Sequence, residues 1–332
     1  QMARSRLTID QILTANAFEN AMRVLLAIGG STNGIVHLTA IAGRCGFDVD
    51  LAALDRMGRE TPVLVDLKPS GAHYMEDFHA AGGMTTLLRE LRPLLHLDAL
   101  TVTGKTLGEE IDNAAPPFEQ DVVHSIHQPL YREGGIAVLK GNLAPGGAII
   151  KQSAADPRLM EHEGRAVVFE NVADLAQRID SDELDVLAGD VLVLKSIGPK
   201  GAPGMPEAGY IPIPRKLARA GVKDIVRISD GRMSGTAFGT IVLHVTPESA
   251  IGGPLAYVRS GDRIRLSVAN REISLLVPAD ELDRRAKAQP VVPPSAERGY
   301  RKLFLSSVTQ ADQGVDFDFL RAARIKERIP KP

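Results

Sequence analysis

The spacing of apolar residues changes partway along the chain, and this change divides it into two parts. In the first part, apolar side chains recur at helical spacing. This predicts helices over residues 8–28 and 31–44, with Thr8 and Ser31 as N-caps. Residues 62–67 form a mostly apolar run that predicts a buried parallel strand. The pattern therefore predicts an α/β first part.

From Gly134 onward, the apolar residues fall in short β-rich runs separated by turn residues. The predicted strands are residues 136–140, 147–151, 164–170, 240–245, 263–268 and 271–277. Six or more strands with two or three helices predict a β-barrel-like α+β domain that carries the helices on its rim.

A stretch of low periodicity separates the two parts and begins at Ala114-Ala115-Pro116-Pro117. The pattern predicts an α/β part over residues 1–115 and a linker over residues 116–133. The barrel-like domain is then expected over residues 134–288, and a helical tail over residues 289–332.

Two glycine-rich loops each follow a short apolar run, residues 191–194 and residues 224–228. The first loop, residues 197–207, reads IGPKGAPGMPE, and the second loop, residues 229–239, reads SDGRMSGTAFG. Because the helix predicted between them is short, the two strands should be parallel, with both loops at the carboxyl edge where ligands bind. Turn chemistry alone also explains either loop, and a lone loop acid such as Glu207 is ordinarily solvated.

The start of the second predicted helix is a further candidate for contact with a ligand. Ser31, Thr32 and Asn33 lie where free backbone amides and the helix dipole favour a carboxylate or phosphate. Simple capping explains Ser31 equally well. Contact with a substrate and plain capping both remain open for Ser31 and Asn33.

Composition and charge exclude several classes of protein. The chain has 39 basic and 41 acidic residues and no Trp, which argues against a nucleic-acid partner. No run of 18 apolar residues is present, so no transmembrane helix is expected, and residues 1–6 lead into no signal-peptide core. A single cysteine fits a reducing, cytoplasmic location.

The two loops also carry a family resemblance. GPKGAPGMPE and SDGRMSGTAFG, together with GGSTNG at residues 29–34, GNLAP at 141–145 and QADQG at 310–314, resemble the IlvD/EDD dehydratases. The resemblance implies an iron–sulfur cluster, a Mg²⁺ ion and conversion of a 2,3-dihydroxy acid to a 2-keto-3-deoxy acid. It also implies that residues 1–115 are the C-terminal part of an αβα domain that binds the cluster and Mg²⁺.

The resemblance assigns roles to residues of both loops. Glu207 matches the Mg²⁺ ligand, and Ser234 matches the base that removes the C2 proton. A serine hydroxyl is a weak base at neutral pH, so cationic neighbours must lower its pKa. Arg232, Thr236 and Met205 are candidates for substrate contact, with Ser31 and Asn33.

Within the family, RMSGTAFG at residues 232–239 and the segment 309–320 look more like the sugar-acid branch. We therefore expect a small sugar acid such as L-arabinonate as substrate, and a homo-oligomer, either dimer or tetramer. Dihydroxy-acid dehydratase of branched-chain amino-acid synthesis is the alternative. A non-catalytic module that binds an anion or a sugar is an alternative of another class.

The single cysteine conflicts with the implied cluster. Iron–sulfur clusters are held by several thiolates, and Cys45 matches no cluster motif. We interpret Cys45 as a small, half-buried hydrophobic residue. We therefore expect the chain to be the C-terminal part of a longer enzyme, with the cluster cysteines and further Mg²⁺ ligands upstream, and to be inactive by itself.

Overall fold

The computed structural model describes residue 2 and residues 6–330, which fall into two compact units. The first unit contains the described residues up to Ile136 and those from Arg321 onward, and the second unit is Ala137–Leu320. None of the helices in the described part of the chain is long and apolar enough to cross a lipid bilayer.

The first unit is mainly helical. Its helices are α1 (Ile9–Ile12), α2 (Ala15–Ala27), α3 (Asn33–Cys45), α4 (Leu51–Glu60), α5 (Met75–Ala80), α6 (Gly83–Leu91) and α7 (Leu107–Asp112). Strand β1 (Phe47–Val49) pairs in parallel with β10 (Glu327–Ile329), so the end of the described chain returns to this unit. Leu64, Phe78, Leu87 and Leu91 are central to its core.

Thr8 is the N-cap of the first helix, as predicted, but that helix is interrupted and the second predicted helix begins one residue later than expected. The helix predicted over residues 8–28 is two helices, because Thr14 caps α2 by accepting a hydrogen bond from Ala17 N at 3.3 Å. The N-cap of α3 is Thr32 rather than Ser31, whose Oγ accepts from Asn33 N at 3.2 Å.

The parallel strand predicted over residues 62–67 is wrong. Val63 and Val65 instead form single antiparallel bridges with Tyr131 and Val123. Val122 and Val123 are buried in the core of this unit, so the chain around them supplies partners for the predicted strand. Bridges of this kind join residues that are far apart in the chain, so the local apolar pattern cannot predict them.

The second unit confirms the predicted barrel. Its eight strands are β2 (Ala137–Gly141), β3 (Ala144–Ile150), β4 (Glu161–Phe169), β5 (Val191–Leu194), β6 (Val226–Ser229), β7 (Ile241–Thr246), β8 (Arg263–Ser267) and β9 (Glu272–Leu275). They close in the order β2-β3-β7-β6-β5-β4-β8-β9. Strands β4, β5, β6 and β7 are parallel to one another, β3 and β8 flank them in antiparallel pairing, and β8 and β9 form an antiparallel hairpin.

Four helices accompany the barrel: α8 (Val172–Arg178), α9 (Arg215–Arg219), α10 (Ala279–Ala288) and α11 (Gly299–Ser307). The barrel interior is filled by aliphatic side chains such as Leu139, Ile150, Val193 and Leu266. A second apolar cluster includes Leu192 and Leu194 of β5 with Leu175 of α8 and Leu217 of α9. Strand β5 is therefore buried on both faces, as its uninterrupted apolar sequence predicts.

Arg227 of β6 is an exception to this apolar core. Its side chain is 1% exposed, and Nη2 pairs with Asp224 Oδ1 at 2.6 Å. Nη1 donates to Tyr210 O and Ile211 O at 3.1 and 3.2 Å, and Asp224 Oδ2 accepts from Thr240 N at 2.8 Å. The pair therefore joins the chain after the first loop to the chain after the second.

We predict that Arg227→Leu destabilises the second unit by about 3–5 kcal/mol, because it leaves the buried Asp224 carboxylate without its cation. Urea unfolding of the chain measures this change. Arg263→Leu is the matched control: this strand arginine is 53% exposed in its pair with Glu163, so its loss should cost about 1 kcal/mol or less. Equal effects of the two substitutions would contradict the prediction.

Candidate active site

The two glycine-rich loops leave neighbouring parallel strands at the same edge of the barrel. Strands β5 and β6 pair in parallel, from Val191 opposite Val226 to Leu194 opposite Ser229. The first loop follows the end of β5 and the second follows the end of β6. The parallel arrangement expected from the sequence is therefore present, and it brings the loops together.

Asp230 connects the starts of the two loops. It is fully buried, and its Oδ1 accepts a hydrogen bond from Ile197 N at 3.0 Å. Its Oδ2 accepts from Ser249 N at 2.8 Å and from Ser249 Oγ at 2.5 Å. Burial raises the pKa of Asp230, and the hydrogen bonds from Ser249 and Ile197 oppose that rise.

Glu248 anchors the first loop by accepting hydrogen bonds from its backbone. It is 1% exposed, and its carboxylate accepts hydrogen bonds from Lys200 N and Gly201 N, each at 2.9 Å. A Cβ on Gly198 would lie 2.6 Å from Glu248 Oε2, so this close approach requires glycine. Burial is the main cause that raises the pKa of Glu248.

Gln310 completes the support of the first loop. Its Nε2 donates to Glu248 Oε1 at 2.7 Å, and its Oε1 accepts from Glu248 N at 2.9 Å. The QADQG segment at residues 310–314 therefore meets the first loop through a buried carboxylate, although more than a hundred residues separate them in the chain.

Some of the candidate residues of the two loops contact one another. Arg232 Nε donates to Met205 O at 2.5 Å, and Gly209 N donates to Arg232 O at 2.8 Å. Met205 is buried, with a φ of 47°. Ser234 is half-buried, and its Oγ lies 3.1 Å from Thr236 Oγ1, whereas Glu207 is exposed. The structure therefore joins Met205 to Arg232 and Ser234 to Thr236.

Ser31 and Asn33 belong to the first unit. Asn33 is 9% exposed, and Ser31 is half-buried. The hydrogen bond between them is local to the start of α3. Ser31 therefore forms a local turn just before the N-cap Thr32, and substrate contact by Ser31 and Asn33 stays a proposal.

Comparison with known proteins matches both units. The dihydroxy-acid/6-phosphogluconate dehydratase N-terminal model matches residues 1–110, and the C-terminal model of the same family matches residues 121–315. The chain belongs to this dehydratase family.

Several relatives within this family are named as sugar-acid dehydratases. The chain is 49% identical over 98% of its length to the L-arabonate dehydratase of Azospirillum brasilense. It is 49% identical over 98% to the L-arabinonate dehydratase of Rhizobium leguminosarum bv. trifolii, and 46% identical over 96% to the 6-deoxy-6-sulfo-D-gluconate dehydratase of Pseudomonas putida. The match covers 57%, 56% and 55% of these three proteins, so the chain spans little more than half their length.

Of the two cofactors that the resemblance implies, this chain offers one ligand for Mg²⁺ and too few cysteines for an iron–sulfur cluster. Glu207 is an exposed carboxylate on the first loop and offers one hard oxygen ligand of the kind that Mg²⁺ prefers. Within residues 6–330, however, no three His, Cys, Asp or Glu side chains form a group that could hold a metal ion. Cys45 is the single cysteine, so the residues of this chain do not fit an iron–sulfur cluster.

The local sequence pattern does not reveal the residues that support the two loops. Asp230 was visible inside the second loop, but no local pattern distinguishes it from a turn residue. Glu248 follows Pro247 in a polar turn after β7, and Gln310 lies far along the chain. The signal that identifies Glu248 and Gln310 is their burial, which depends on the folded barrel.

His244 lies behind the second loop, at an irregular point of β7. The pairing with β3 shifts between Gly147 and Ile149, and His244 has a φ of 56°. Such a bulge redirects a strand next to a site. His244 N donates to Gly231 O at 3.0 Å, and its enclosed Nε2 has no hydrogen bond within the described part of the chain. Burial, with a smaller contribution from Arg232, lowers the pKa of His244 to about 3.

We predict that His244 makes the second unit less stable in mild acid. Between its ordinary pKa of 6.5 and its folded pKa of about 3, the unfolded chain binds a proton that the folded chain does not. Lowering the pH from 7.5 to 5.0 should therefore remove about 2 kcal/mol of stability through this residue. Urea unfolding at the two pH values measures the loss.

His244→Asn should abolish this part of the pH dependence, because asparagine tolerates the positive φ and does not titrate. His162→Gln on β4 is the control and should leave the dependence in place. An unchanged difference between pH 7.5 and 5.0 in His244→Asn would show that another group is responsible.

Proposed function

We propose that this chain carries the base and a Mg²⁺ ligand of a sugar-acid dehydratase that converts L-arabinonate, or a close aldonate, to its 2-keto-3-deoxy acid. The observation that supports it is the fastening of the Glu207 loop and the Ser234 loop at one edge of the barrel by Asp230 and Glu248. Catalytic side chains must be held in a fixed geometry relative to the substrate, and rigid support of this kind can provide it.

In this proposal, Ser234 is an alkoxide, and its Oγ takes the proton from C2 of the substrate. The electrons of the C2–H bond form the C2–C3 double bond as the 3-hydroxyl leaves, and the proton and hydroxide together make water. The resulting enol becomes the 2-keto-3-deoxy acid by tautomerisation. Thr236, whose hydroxyl lies 3.1 Å from Ser234 Oγ, orients the serine. The proposed contacts with the substrate are Arg232, Met205, Ser31 and Asn33.

Glu207 is the residue of this chain that would hold Mg²⁺. When bound, the ion neutralises charge that develops on the oxygens of an acid substrate. We propose that the other Mg²⁺ ligands and the cysteines of an iron–sulfur cluster come from residues outside these 332, and that the chain alone is inactive. The single cysteine and the limited coverage of the relatives support this view.

L-Arabinonate is the substrate that the relatives favour. The names of two relatives that are each 49% identical to the chain specify arabonate or arabinonate. The relative that acts on a sulfogluconate is nearly as similar, at 46% identity, so the class of aldonates is better supported than any one member.

Ser234→Ala should lower kcat for L-arabinonate by about 10²–10⁴-fold, the usual contribution of a general base. The measurement is made on active dehydratase that contains this chain, and KM should change little because the loss lies in proton transfer. Exchange of the C2 hydrogen with deuterated solvent should also disappear.

Ser306→Ala is the control for this experiment, because the Ser306 hydroxyl is exposed and bonds only locally, to Leu303 O and Ser307 Oγ. It should leave kcat unchanged. Activity of Ser234→Ala within about threefold of the unmodified enzyme is too high for a lost general base. That result would assign proton transfer to another residue, and a binding module without activity would become the better interpretation.

Glu207→Gln should raise the Mg²⁺ concentration needed for half-maximal activity by about tenfold or more, because a charged oxygen ligand becomes neutral. The fold should change little, since an exposed loop acid contributes little to packing. Glu183→Gln, another exposed loop acid of the second unit, is the control. The same Mg²⁺ requirement in both variants would reject Glu207 as a ligand.

A further inference from the structure

Lys151, at the end of β3, is a buried cation without a counter-ion. It is 3% exposed, although lysine is seldom buried unless it is paired. Among the residues that the structure describes, its ammonium has no hydrogen bond or ion pair. Lys195, which is also buried, differs: its Nζ donates to Glu170 Oε1 at 3.0 Å and to Ala256 O at 3.1 Å.

The Lys151 ammonium is not completely enclosed, although the residue as a whole is buried. Lys151 Nζ is not among the enclosed side-chain atoms that lack a partner, so it keeps some exposure to solvent. Burial lowers the pKa of Lys151 to about 8, and no neighbouring charge contributes. A cation in this state gains stability from an anion that reaches it, because the anion replaces the lost water.

The strand register places Lys151 on the face of the barrel that carries the second loop. Ile150 pairs with Val242, and both point into the barrel core. Ile149 pairs with Leu243, which packs instead with Ile241 and Met233. Lys151 directly follows β3, and if the alternation of side chains continues by one residue, it returns to the face of Ile149, next to Ile241.

This face adjoins the second loop, which carries Ser234. Met233 immediately precedes Ser234, and Ala237 of the same loop packs against the cluster of Met233, Ile241 and Leu243. Two hydrogen bonds attach the chain after Lys151 to the end of the loop: Gly239 N donates to Ala154 O at 2.9 Å, and Asp156 N donates to Thr240 Oγ1 at 3.1 Å.

We propose that Lys151 is a substrate-binding residue of the Ser234 site, and that its ammonium takes a carboxylate oxygen of an anionic sugar acid. The inference rests on the proposed function, because it identifies the missing counter-ion with the substrate of that site. A neutral sugar is a poor partner, since only an anion compensates a buried ammonium. Lys151 therefore selects the acid over the corresponding aldose.

The charge state of Lys151 tests the proposal directly. The chain is prepared with ¹³C at lysine Cε, and the Lys151 signal is assigned by its loss in Lys151→Met and in Lys151→Arg. The pH is titrated in MgCl₂ buffer without ligand, with L-arabinonate, and with L-arabinose. With arabinonate, the pKa of Lys151 should rise from about 8 toward its ordinary value of 10.5. Arabinose should leave it unchanged.

Calorimetry gives a second measurement. Lys151→Met should weaken arabinonate binding by about 10- to 100-fold, the range of one charge-assisted hydrogen bond, and Lys151→Arg should restore part of the affinity. Lys140→Met, at an exposed lysine of β2, is the matched control and should bind as the unmodified chain does. An equal response to arabinose, no response to arabinonate, or full affinity of Lys151→Met would each overturn the proposal.

These outcomes are separable from those of the proposed function. If Lys151 responds to arabinonate but Ser234→Ala keeps its activity, the binding residue stands and the assigned base is wrong. If Ser234→Ala loses its activity while Lys151 ignores arabinonate, the dehydratase proposal stands and this inference alone fails.

Discussion

The candidate site depends on two carboxylates that are buried beneath the loops, Asp230 and Glu248. Each is almost completely removed from water and accepts hydrogen bonds from backbone N–H groups of the first loop. Burial of a carboxylate is costly unless such donors surround it, so each acid is stable only while the loop keeps its shape. The conformation of the first loop and the burial of the two acids therefore depend on each other, and the loop that carries Glu207 is anchored.

The second loop is held at its two ends by different means. At its start, Asp230 itself belongs to the loop and binds Ser249. At its end, Gly239 has a φ of 117°, and a Cβ there would overlap the Arg227 guanidinium. Only glycine therefore permits the Arg227–Asp224 pair to close against the loop. Ser234 lies between these two anchors, where it is half-buried and bonded to Thr236.

The distribution of charge around the second loop suits an acid substrate. Burial keeps His244 neutral, whereas the buried ammonium of Lys151, directly after β3, has no partner within the described residues. Arg232 adds a second cation, held by Met205 O. In the proposed site, these two cations would stabilise an alkoxide at Ser234 or a carboxylate of the substrate, as a serine base requires.

The sequence by itself determined the family, the barrel, the parallel pair β5 and β6 and the two loops, because strand periodicity and glycine motifs are local properties of the chain. It misplaced residues 62–67 and the start of α3, where bridges to Tyr131 and Val123 and the cap at Thr32 decided the outcome. Only the tertiary structure showed that Asp230, Glu248 and Gln310 hold the loops and that Lys151 is buried. The physical reason is that burial and hydrogen bonding join residues that are far apart in the chain, as Gln310, Glu248 and the first loop illustrate.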